Sequence, residues 1–270
     1  MDRKDLLERG IIMLGCGKMG SAMLAGWLSD GLPAQSVTIL DPHPSDWLKE
    51  NGVRINGELP AEPALALLAV KPQMMPDALP RLAHFSDGRT LFLTVAAGLS
   101  LDFYMNALGP GAPIIRAMPN TPAAVGRGIT AIVGNDCVTS DHLAMATGLL
   151  ESIGTVIALD EEAQMDAVTA VSGSGPAYVF HMVETLAAAA EAEGLPPNLA
   201  MELAKATVSG AGELVRQSSE TAEKLRINVT SPKGTTEAGL SQLMDDKYGL
   251  GPLMIRTVKA AADRSRELSQ

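Results

Sequence analysis

Apolar residues in the first half of the chain occur in short uninterrupted runs that do not alternate with polar residues. The runs are 11–14, 37–40, 64–70, 90–97, 114–118, 129–133 and 155–157. Such runs are typical of strands buried on both faces of a sheet, and sheets of this kind are parallel and covered by helices. Helices are predicted over 21–28 and 141–153. The pattern therefore predicts an α/β, doubly wound domain over residues 1–160.

After Asp160 the pattern changes to helices with few strand signals. The predicted helical segments are 161–193 with an interruption at 172–176, 198–217, 221–225, a segment beginning at Thr235, and 252–268. Pro196-Pro197 suits the start of one of them, because the first helical turn has no amide partner to lose. We therefore predict an all-helical second domain over residues 161–270. Its helices are apolar on much of their circumference, which favours a homodimer through this domain.

Charge and cysteine content exclude several classes of protein. The net charge is −10 and the 21 basic residues are scattered, so nucleic-acid binding is not expected. No apolar run reaches the roughly 18 residues that a membrane span needs, and residues 1–10 are too charged for a signal-peptide core. Cys16 and Cys137 give neither a disulfide framework nor a metal spacing. We expect a cytoplasmic protein without a membrane or nucleic-acid partner.

A glycine-rich segment follows the first apolar run and opens the first predicted helix. It reads Gly15, Cys16, Gly17, Lys18, Met19, Gly20, which is the pattern G-x-G-x-x-G. The first glycine permits a tight turn, the second a close approach of pyrophosphate, and the third close packing of helix and strand. The helix N-terminus offers free amides to phosphates. In this context the segment predicts a Rossmann-type dinucleotide site.

Asp41 stands at the end of the second apolar run. An acid at this place hydrogen-bonds an adenosine ribose 2′-hydroxyl and repels a 2′-phosphate, which favours NADH over NADPH. The residue also precedes Pro42, and an Asp before Pro commonly caps a turn. Both interpretations remain open, and the predicted cofactor is NADPH or NADH.

Several further motifs resemble one enzyme family. Strand-end motifs stand at 69–72, 96–98 and 118–122, while 166–180 (DAVTAVSGSGPAYVF) and 228–240 (NVTSPKGTTEAGL) are the more specific ones. Together these segments resemble pyrroline-5-carboxylate reductases over nearly the whole chain and in the same order. The resemblance implies reduction of the cyclic imine 1-pyrroline-5-carboxylate to L-proline with NAD(P)H, in proline biosynthesis. It also implies a homodimer that assembles further into a decamer.

The resemblance implies roles for individual residues. Residues matched to dinucleotide contacts are Val70, Lys71, Pro72, Ala96, Ala97, Asn56 at the adenosine, Asn120 near the nicotinamide, and Asn228. Residues matched to the substrate site are Glu162, Ser231, Gly234, Thr235 and Thr236. The family usually has Ser-Pro-Gly-Gly where this chain has Lys233 in place of the first glycine. If that position has a positive φ, lysine is costly there; in an ordinary turn it would only add a charge.

The loop from Ser231 to Thr236 also suggests its own chemistry. A turn that runs into a helix directs amides toward an anion, here the substrate carboxylate. We assign Thr236 as catalytic, with its hydroxyl hydrogen-bonded to the ring nitrogen. Ser and Thr before a helix are also capping residues, and the two roles are compatible.

Two other functions are weighed against this one. A related β-hydroxyacid dehydrogenase would need a general acid/base, and Lys205 is the only lysine on the long helices before the loop, without a motif around it. A non-catalytic dinucleotide sensor would keep the glycines and lose the loop, whereas this loop keeps Ser231, Thr235 and Thr236. No metal is expected, because His43, His84, His142 and His181 are placed singly.

Overall fold

The computed structural model describes residues 3–268. The chain forms two compact units: the first runs to Gly173 and resumes at Ala262, and the second runs from Ser174 to Ala261. The boundary between functional domains predicted at residues 160/161 stays a prediction. The boundary between the two compact units lies at Gly173, and the end of the last helix belongs to the first unit.

The first unit is built on one eight-stranded sheet with the order β3-β2-β1-β4-β5-β6-β7-β8. The strands are β1 (Ile11–Leu14), β2 (Val37–Leu40), β3 (Arg54–Ile55), β4 (Leu65–Leu68), β5 (Leu91–Thr94), β6 (Ile114–Met118), β7 (Gly128–Gly134) and β8 (Gly154–Ala158). Its α-helices are α1 (Arg3–Arg9), α2 (Lys18–Ser29), α3 (Asp46–Glu50), α4 (Met75–Ala78), α5 (Leu101–Leu108), α6 (Ser140–Leu150) and α7 (Met165–Val168). The predicted doubly wound α/β architecture is confirmed.

The uninterrupted apolar runs are explained by two hydrophobic clusters. Ile11 and Met13 of β1 belong to one cluster, with Trp27 of α2, while Ile12 and Leu14 belong to the other, with Phe92 and Tyr104. Successive side chains of a strand point to opposite faces, and both faces of this sheet are buried. A strand in this position therefore needs apolar residues at every position rather than at every second one.

One pair of strands departs from the predicted parallel arrangement. β7 runs antiparallel to β6, with Ala117 opposite Ile132, and every other pair is parallel. Between these strands the chain has only a short 3-10 turn, Thr121–Val125, followed by Gly126 in the left-handed conformation. A parallel connection needs a crossover of a dozen or more residues, so the short link obliges β7 to reverse direction.

The second unit is helical, as predicted. Its helices are α8 (Gly175–Ala192), α9 (Pro197–Gln217), α10 (Ala222–Asn228), α11 (Thr235–Leu243) and α12 (Leu250–Leu268), the last of which ends in the first unit. The predicted interruption at 172–176 corresponds to a π-helical turn, Thr169–Gly173, just before α8. α8 packs on α9, and the buried residues of the two helices are the small Ala187, Ala200 and Ala204.

Candidate functional site

The glycine-rich turn lies at the carboxyl end of β1, where the strand order reverses between β2 and β4. Gly15 has a φ of +81°, and a Cβ atom there would lie 2.7 Å from Cγ1 of Val70. At Gly20 a Cβ would lie 3.4 Å from the carbonyl oxygen of Gly15, so helix and strand pack closely there. Gly15 is therefore required by the fold itself, whereas a Cβ at Gly20 would make only ordinary van der Waals contacts.

Gly17 is required by neither conformation nor packing. Its φ is −74°, and a Cβ added there would meet nothing within 4 Å. Gly17 is the N-cap of α2, and no side chain among residues 3–268 caps this helix. The first amides of a helix lack partners within it and carry partial positive charge. Open space beside uncapped amides fits the pyrophosphate of a dinucleotide.

Asp41 is held against this turn. Its Oδ2 accepts a hydrogen bond of 2.9 Å from the backbone N–H of Cys16, and its Oδ1 accepts one of 2.8 Å from the N–H of His43. The side chain thus caps the turn before Pro42, which was one of the two interpretations of this residue. Asn56, which follows β3, hydrogen-bonds the backbone of Asp41 at both its N–H and its carbonyl.

Cys16 behaves as a small buried side chain. It is 6% exposed, and burial raises the pKa of its thiol, with the nearby charge of Asp41 acting in the same direction. Its Sγ lies 3.6 Å from the hydroxyl oxygen of Ser21. A thiol with a raised pKa is a poor nucleophile near neutral pH, so the residue fills the turn rather than reacting.

The other residues predicted to contact the dinucleotide follow parallel strands at the same edge of the sheet. Val70, Lys71 and Pro72 follow β4, and Ala96 and Ala97 follow β5. Parallel neighbours end together, as hydrogen bonds from Ala69 N–H to the Leu14 carbonyl and from Val95 N–H to the Leu68 carbonyl show. The structure therefore brings these loops together with the glycine-rich turn, at the place where doubly wound sheets bind ligands.

Asn120 follows β6 at this edge and is 9% exposed. Its Nδ2 donates to the Ser172 carbonyl at 3.1 Å, and its Oδ1 accepts from the Ile129 N–H at 3.0 Å. Both ends of the amide are thus engaged in joining the end of β6 to β7 and to the π-helical turn.

Glu162 lies in a 3-10 turn of the first unit and makes an ion pair that the sequence did not suggest. Its Oε1 accepts hydrogen bonds from Nη1 of Arg116 and, at 2.7 Å, from the N–H of Leu101 at the start of α5. Arg116 is 8% exposed in the middle of β6. An arginine inside an otherwise apolar strand was the signal that could have identified it, since buried charges need partners.

A second buried polar contact supports the loop after β5. The hydroxyls of Thr94 and Tyr104 lie 2.6 Å apart, and Thr94 Oγ1 also accepts a hydrogen bond of 3.3 Å from the N–H of Ala96. Burial raises the pKa of Tyr104 to about 12. The tyrosine therefore stays neutral and orders the loop that carries Ala96 and Ala97.

The predicted substrate loop lies in the second unit, between α10 and α11. The Gly234 N–H donates to the Ser231 carbonyl at 3.0 Å, which closes a turn with Pro232 and Lys233 in the middle. Lys233 has a φ of +59°, so the costly alternative for this lysine is the one observed. A Cβ at Gly234 would clash with Ser231 Oγ, so the turn favours glycine at this position.

The first amides of α11 are available to an anion. Gly234, the N-cap, has no side chain to cap the helix, and Oε2 of Glu237 accepts a hydrogen bond of 2.6 Å from the Lys233 N–H just before it. Thr235 and Thr236 occupy its first turn, so their amides and hydroxyls lie beside those of the loop. The expectation that Ser or Thr caps this helix was wrong, because the N-cap position falls on the glycine. Nearby, Asn228 ends α10 and donates from Nδ2 to Oε2 of Glu220 at 2.9 Å.

The predicted site residues thus fall into two groups. The glycine-rich turn, Asp41, Asn56, the strand-end loops and Glu162 belong to the first unit, and Asn228 and the loop from Ser231 to Thr236 belong to the second. A Rossmann-type sheet with an open, uncapped glycine-rich turn, joined to a helical unit, defines a dinucleotide-dependent oxidoreductase.

Comparisons with known proteins identify the family within this class. Residues 162–268 match the family model for pyrroline-5-carboxylate reductase dimerisation, and residues 10–98 match that for coenzyme F420-dependent NADP oxidoreductases. A pyrroline-5-carboxylate reductase of Synechocystis is 41% identical over 98% of this chain and 99% of its own. The chain belongs to the pyrroline-5-carboxylate reductase family and is an NAD(P)H-dependent oxidoreductase. The match over 162–268 to a dimerisation model supports the formation of an oligomer.

Solved structures agree with this assignment. A pyrroline-5-carboxylate reductase of Coxiella burnetii has a TM-score of 0.91 at 31% identity, covering 97% of this chain and 99% of that one. A pyrroline carboxylate reductase of Plasmodium falciparum, with NADP bound, has a TM-score of 0.84 at 26% identity, covering 98% and 99%. No helix within residues 3–268 is both long and apolar enough to cross a membrane.

Proposed function

We propose that the chain reduces the imine of 1-pyrroline-5-carboxylate to L-proline with hydride from NADH or NADPH, as a step of proline biosynthesis. The observation that carries this proposal is the likeness to a pyrroline-5-carboxylate reductase over 98% of the chain, which includes both the glycine-rich turn and the loop of the second unit. A protein that had kept only dinucleotide binding would have no reason to retain that loop.

In this proposal the first unit binds the dinucleotide. The amides at the start of α2 hold the pyrophosphate beside Gly17, where the structure leaves open space. Val70, Lys71, Pro72, Ala96, Ala97 and Asn120 line the remainder from the strand ends, and Asn228 contributes from the helical region. The bound dinucleotide supplies the hydride; the residues of the chain supply position and electrostatics.

The loop of the second unit binds the substrate in this proposal. The amides of Thr235 and Thr236 lie in the first turn of α11, whose N-cap glycine carries no capping side chain, and they hold the carboxylate. The Thr236 hydroxyl hydrogen-bonds the ring nitrogen and relays a proton to it from solvent, regaining its own proton in the same step, so Thr236 is the catalytic residue. A protonated imine is already a good electrophile, so this site needs no stronger acid.

Glu162 is proposed as a further substrate contact. Arg116 and the Leu101 N–H both bind its Oε1, and among the described residues Oε2 accepts no hydrogen bond. The free oxygen accepts a hydrogen bond from the amine of the product. One carboxylate oxygen of Glu162 is therefore held by the protein, and the other is available to the substrate.

We further propose that the chain forms a homodimer through its helical region and that the dimers assemble into a decamer. The support is the dimerisation family model over 162–268 and the exposed apolar side chains of that region. Those on α8 and α9 include Val179, Phe180, Met182, Leu186, Leu199, Leu203, Leu214 and Val215. Light scattering after size exclusion distinguishes the masses of two and ten chains. The cytoplasmic location expected from the sequence stays a prediction, which microscopy of a tagged chain in its host would test.

The reaction is tested by mixing the purified full-length chain with 1-pyrroline-5-carboxylate and following NADH and NADPH oxidation separately. We expect rapid oxidation that depends on the imine. A matched assay with β-hydroxyacids and NAD(P)+ tests the dehydrogenase alternative, with Lys205→Ala as the variant that should leave imine reduction unchanged. Dinucleotide binding without turnover of any imine would favour the sensor alternative and overturn the proposal.

A further inference from the structure

Asp41 is fixed by four hydrogen bonds within the chain. Two hold its carboxylate, from the N–H groups of Cys16 and His43, and two hold its backbone, both from the side chain of Asn56. The bond from Cys16 joins the carboxylate directly to the glycine-rich turn. The negative charge of Asp41 therefore stands at a fixed place beside the proposed dinucleotide site.

The side chain of Asn56 acts as a substitute peptide group. β3 pairs with β2 as far as Ile55 with Ile39, and the Asn56 N–H still donates to the Ile39 carbonyl at 2.8 Å. There the chain turns away, with Asn56 at a φ of +51°. Its Oδ1 accepts from the Asp41 N–H at 3.0 Å and its Nδ2 donates to the Asp41 carbonyl at 2.7 Å. The side-chain amide of Asn56 thus extends the hydrogen bonding between β3 and β2 by one residue, beyond the point where the backbone of β3 turns away.

The positive φ and the two hydrogen bonds to Asp41 together explain why residue 56 is an asparagine. Asparagine is among the residues that tolerate a positive φ, and its amide carries one acceptor and one donor side by side, like a peptide. Asn56 is exposed, so burial does not explain its presence. With both ends of the amide engaged on Asp41, the residue is occupied in holding its neighbour rather than presented to a ligand.

We propose that Asn56 is a positioning residue for cofactor selectivity: it fixes Asp41 so that the chain prefers a free ribose 2′-hydroxyl over a 2′-phosphate. A carboxylate accepts a hydrogen bond from the hydroxyl and repels the phosphate, and this discrimination requires that it cannot move aside. Asn56 therefore acts through Asp41, and the chain prefers NADH. The inference rests on the proposed dinucleotide site but not on the identity of the imine.

The test measures equilibrium binding rather than turnover. Isothermal titration of the full chain with ADP-ribose and with 2′-phospho-ADP-ribose gives two dissociation constants, whose ratio is the selectivity. We expect the phosphorylated ligand to bind about tenfold or more weakly to the wild type. Asn56→Gly removes only the side chain, since glycine adopts the positive φ at no cost. It should lower the selectivity, but by less than Asp41→Asn, which removes the charge itself.

A double-mutant cycle separates this role from a direct contact with adenosine. If Asn56 acts through Asp41, the variant carrying both substitutions is no less selective than Asp41→Asn alone. Additive losses, or an equal loss of affinity for both ligands in Asn56→Gly, would mean a direct contact and overturn the proposal. Wild-type preference for the phosphorylated ligand, or binding of neither ligand by folded protein, would also overturn it. If both ligands bind selectively but no imine is reduced, the inference stands and only the proposed function fails.

Discussion

The glycines of the G-x-G-x-x-G motif serve different physical purposes, and mutations can distinguish these purposes. At Gly15 an added methyl group faces both a positive φ and Cγ1 of Val70 at 2.7 Å, whereas at Gly17 it faces open space. We expect Gly15→Ala to lower the free energy of unfolding by about 2 kcal/mol or more. Gly17→Ala should stay within about 1 kcal/mol of the wild type and weaken dinucleotide binding at least about tenfold.

Thermal melting and titration with ADP-ribose, applied to both variants, check this pair of predictions. Each variant serves as the control for the other. If Gly17→Ala leaves the affinity for ADP-ribose unchanged, the pyrophosphate does not bind beside Gly17.

Lys233 carries a conformational cost at the head of the substrate loop. An L-residue in the left-handed region costs about 1–2 kcal/mol, partly offset by the chain entropy that glycine would lose on folding. Lys233→Gly should therefore raise the free energy of unfolding by up to about 1 kcal/mol, measured by denaturant titration. Lys233→Ala keeps the strain and removes the charge. A rise in KM shared by both variants would assign the lysine charge a role in binding the carboxylate.

The Thr236 hydroxyl is the group proposed to meet the ring nitrogen. Thr236→Ala should lower kcat/KM by about one to two orders of magnitude, on the scale of losing a positioned hydrogen-bond donor. Thr236→Ser keeps the hydroxyl and should retain most of the activity, while the affinity for ADP-ribose stays unchanged in both. Equal kcat/KM values for Thr236→Ala and the wild type would exclude the residue from the mechanism.

At the scale of elements, we expect the capping of the N-terminus of α6 to depend on pH. Thr139 and His142 form a capping box, in which the Thr139 N–H donates to Nδ1 of His142 and the His142 N–H donates to Oγ1 of Thr139. Partial burial lowers the pKa of His142, with Arg9 acting in the same direction and Asp141 opposing it. A protonated ring cannot accept the bond at Nδ1, and positive charge is unfavourable at a helix N-terminus.

The sign of the effect follows from the lowered pKa. The native state resists protonation, so this contribution to stability is complete above the ordinary histidine pKa of about 6.5 and declines as the pH falls below it. His142→Gln preserves the capping box with a group that does not titrate. Between pH 7.5 and 5, the Tm of the wild type should fall more steeply than that of His142→Gln. Parallel curves would show that His142 makes no contribution.

Elements were predictable where a local rule acted alone. The bounds of β1, β2 and β6 follow from their apolar runs, because a strand between two layers must be apolar throughout. Short elements such as α3 and β3 were not predicted, since five or two residues carry too little periodicity. α5 was also missed, although Ser100 before it is an N-cap whose side chain accepts a hydrogen bond from the Phe103 N–H.

At the scale of the whole molecule, we expect a second copy of the chain to bury the exposed apolar side chains of the helical unit. Leu199 and Leu203 of α9 are 43% and 46% exposed, and exposed apolar patches of this kind mark contacts between chains. Leu203→Asp should shift the chain to a smaller assembly in light scattering and lower its Tm. Leu7→Asp, at an equally exposed leucine of α1 in the first unit, is the matched control. An unchanged mass for Leu203→Asp would place the dimer contact elsewhere.

The sequence by itself determined the class of sheet, the dinucleotide turn, the helical second half and, through its resemblance, the family. These features depend on local patterns: runs set by two-sided burial, glycines set by backbone conformation, and motifs read in order. Tertiary structure alone decided the pairing of Arg116 with Glu162 and the clamp of Asn56 on Asp41. Each joins residues from different elements that are separated in sequence. Long-range partners are fixed by how the layers pack, so no local pattern specifies them.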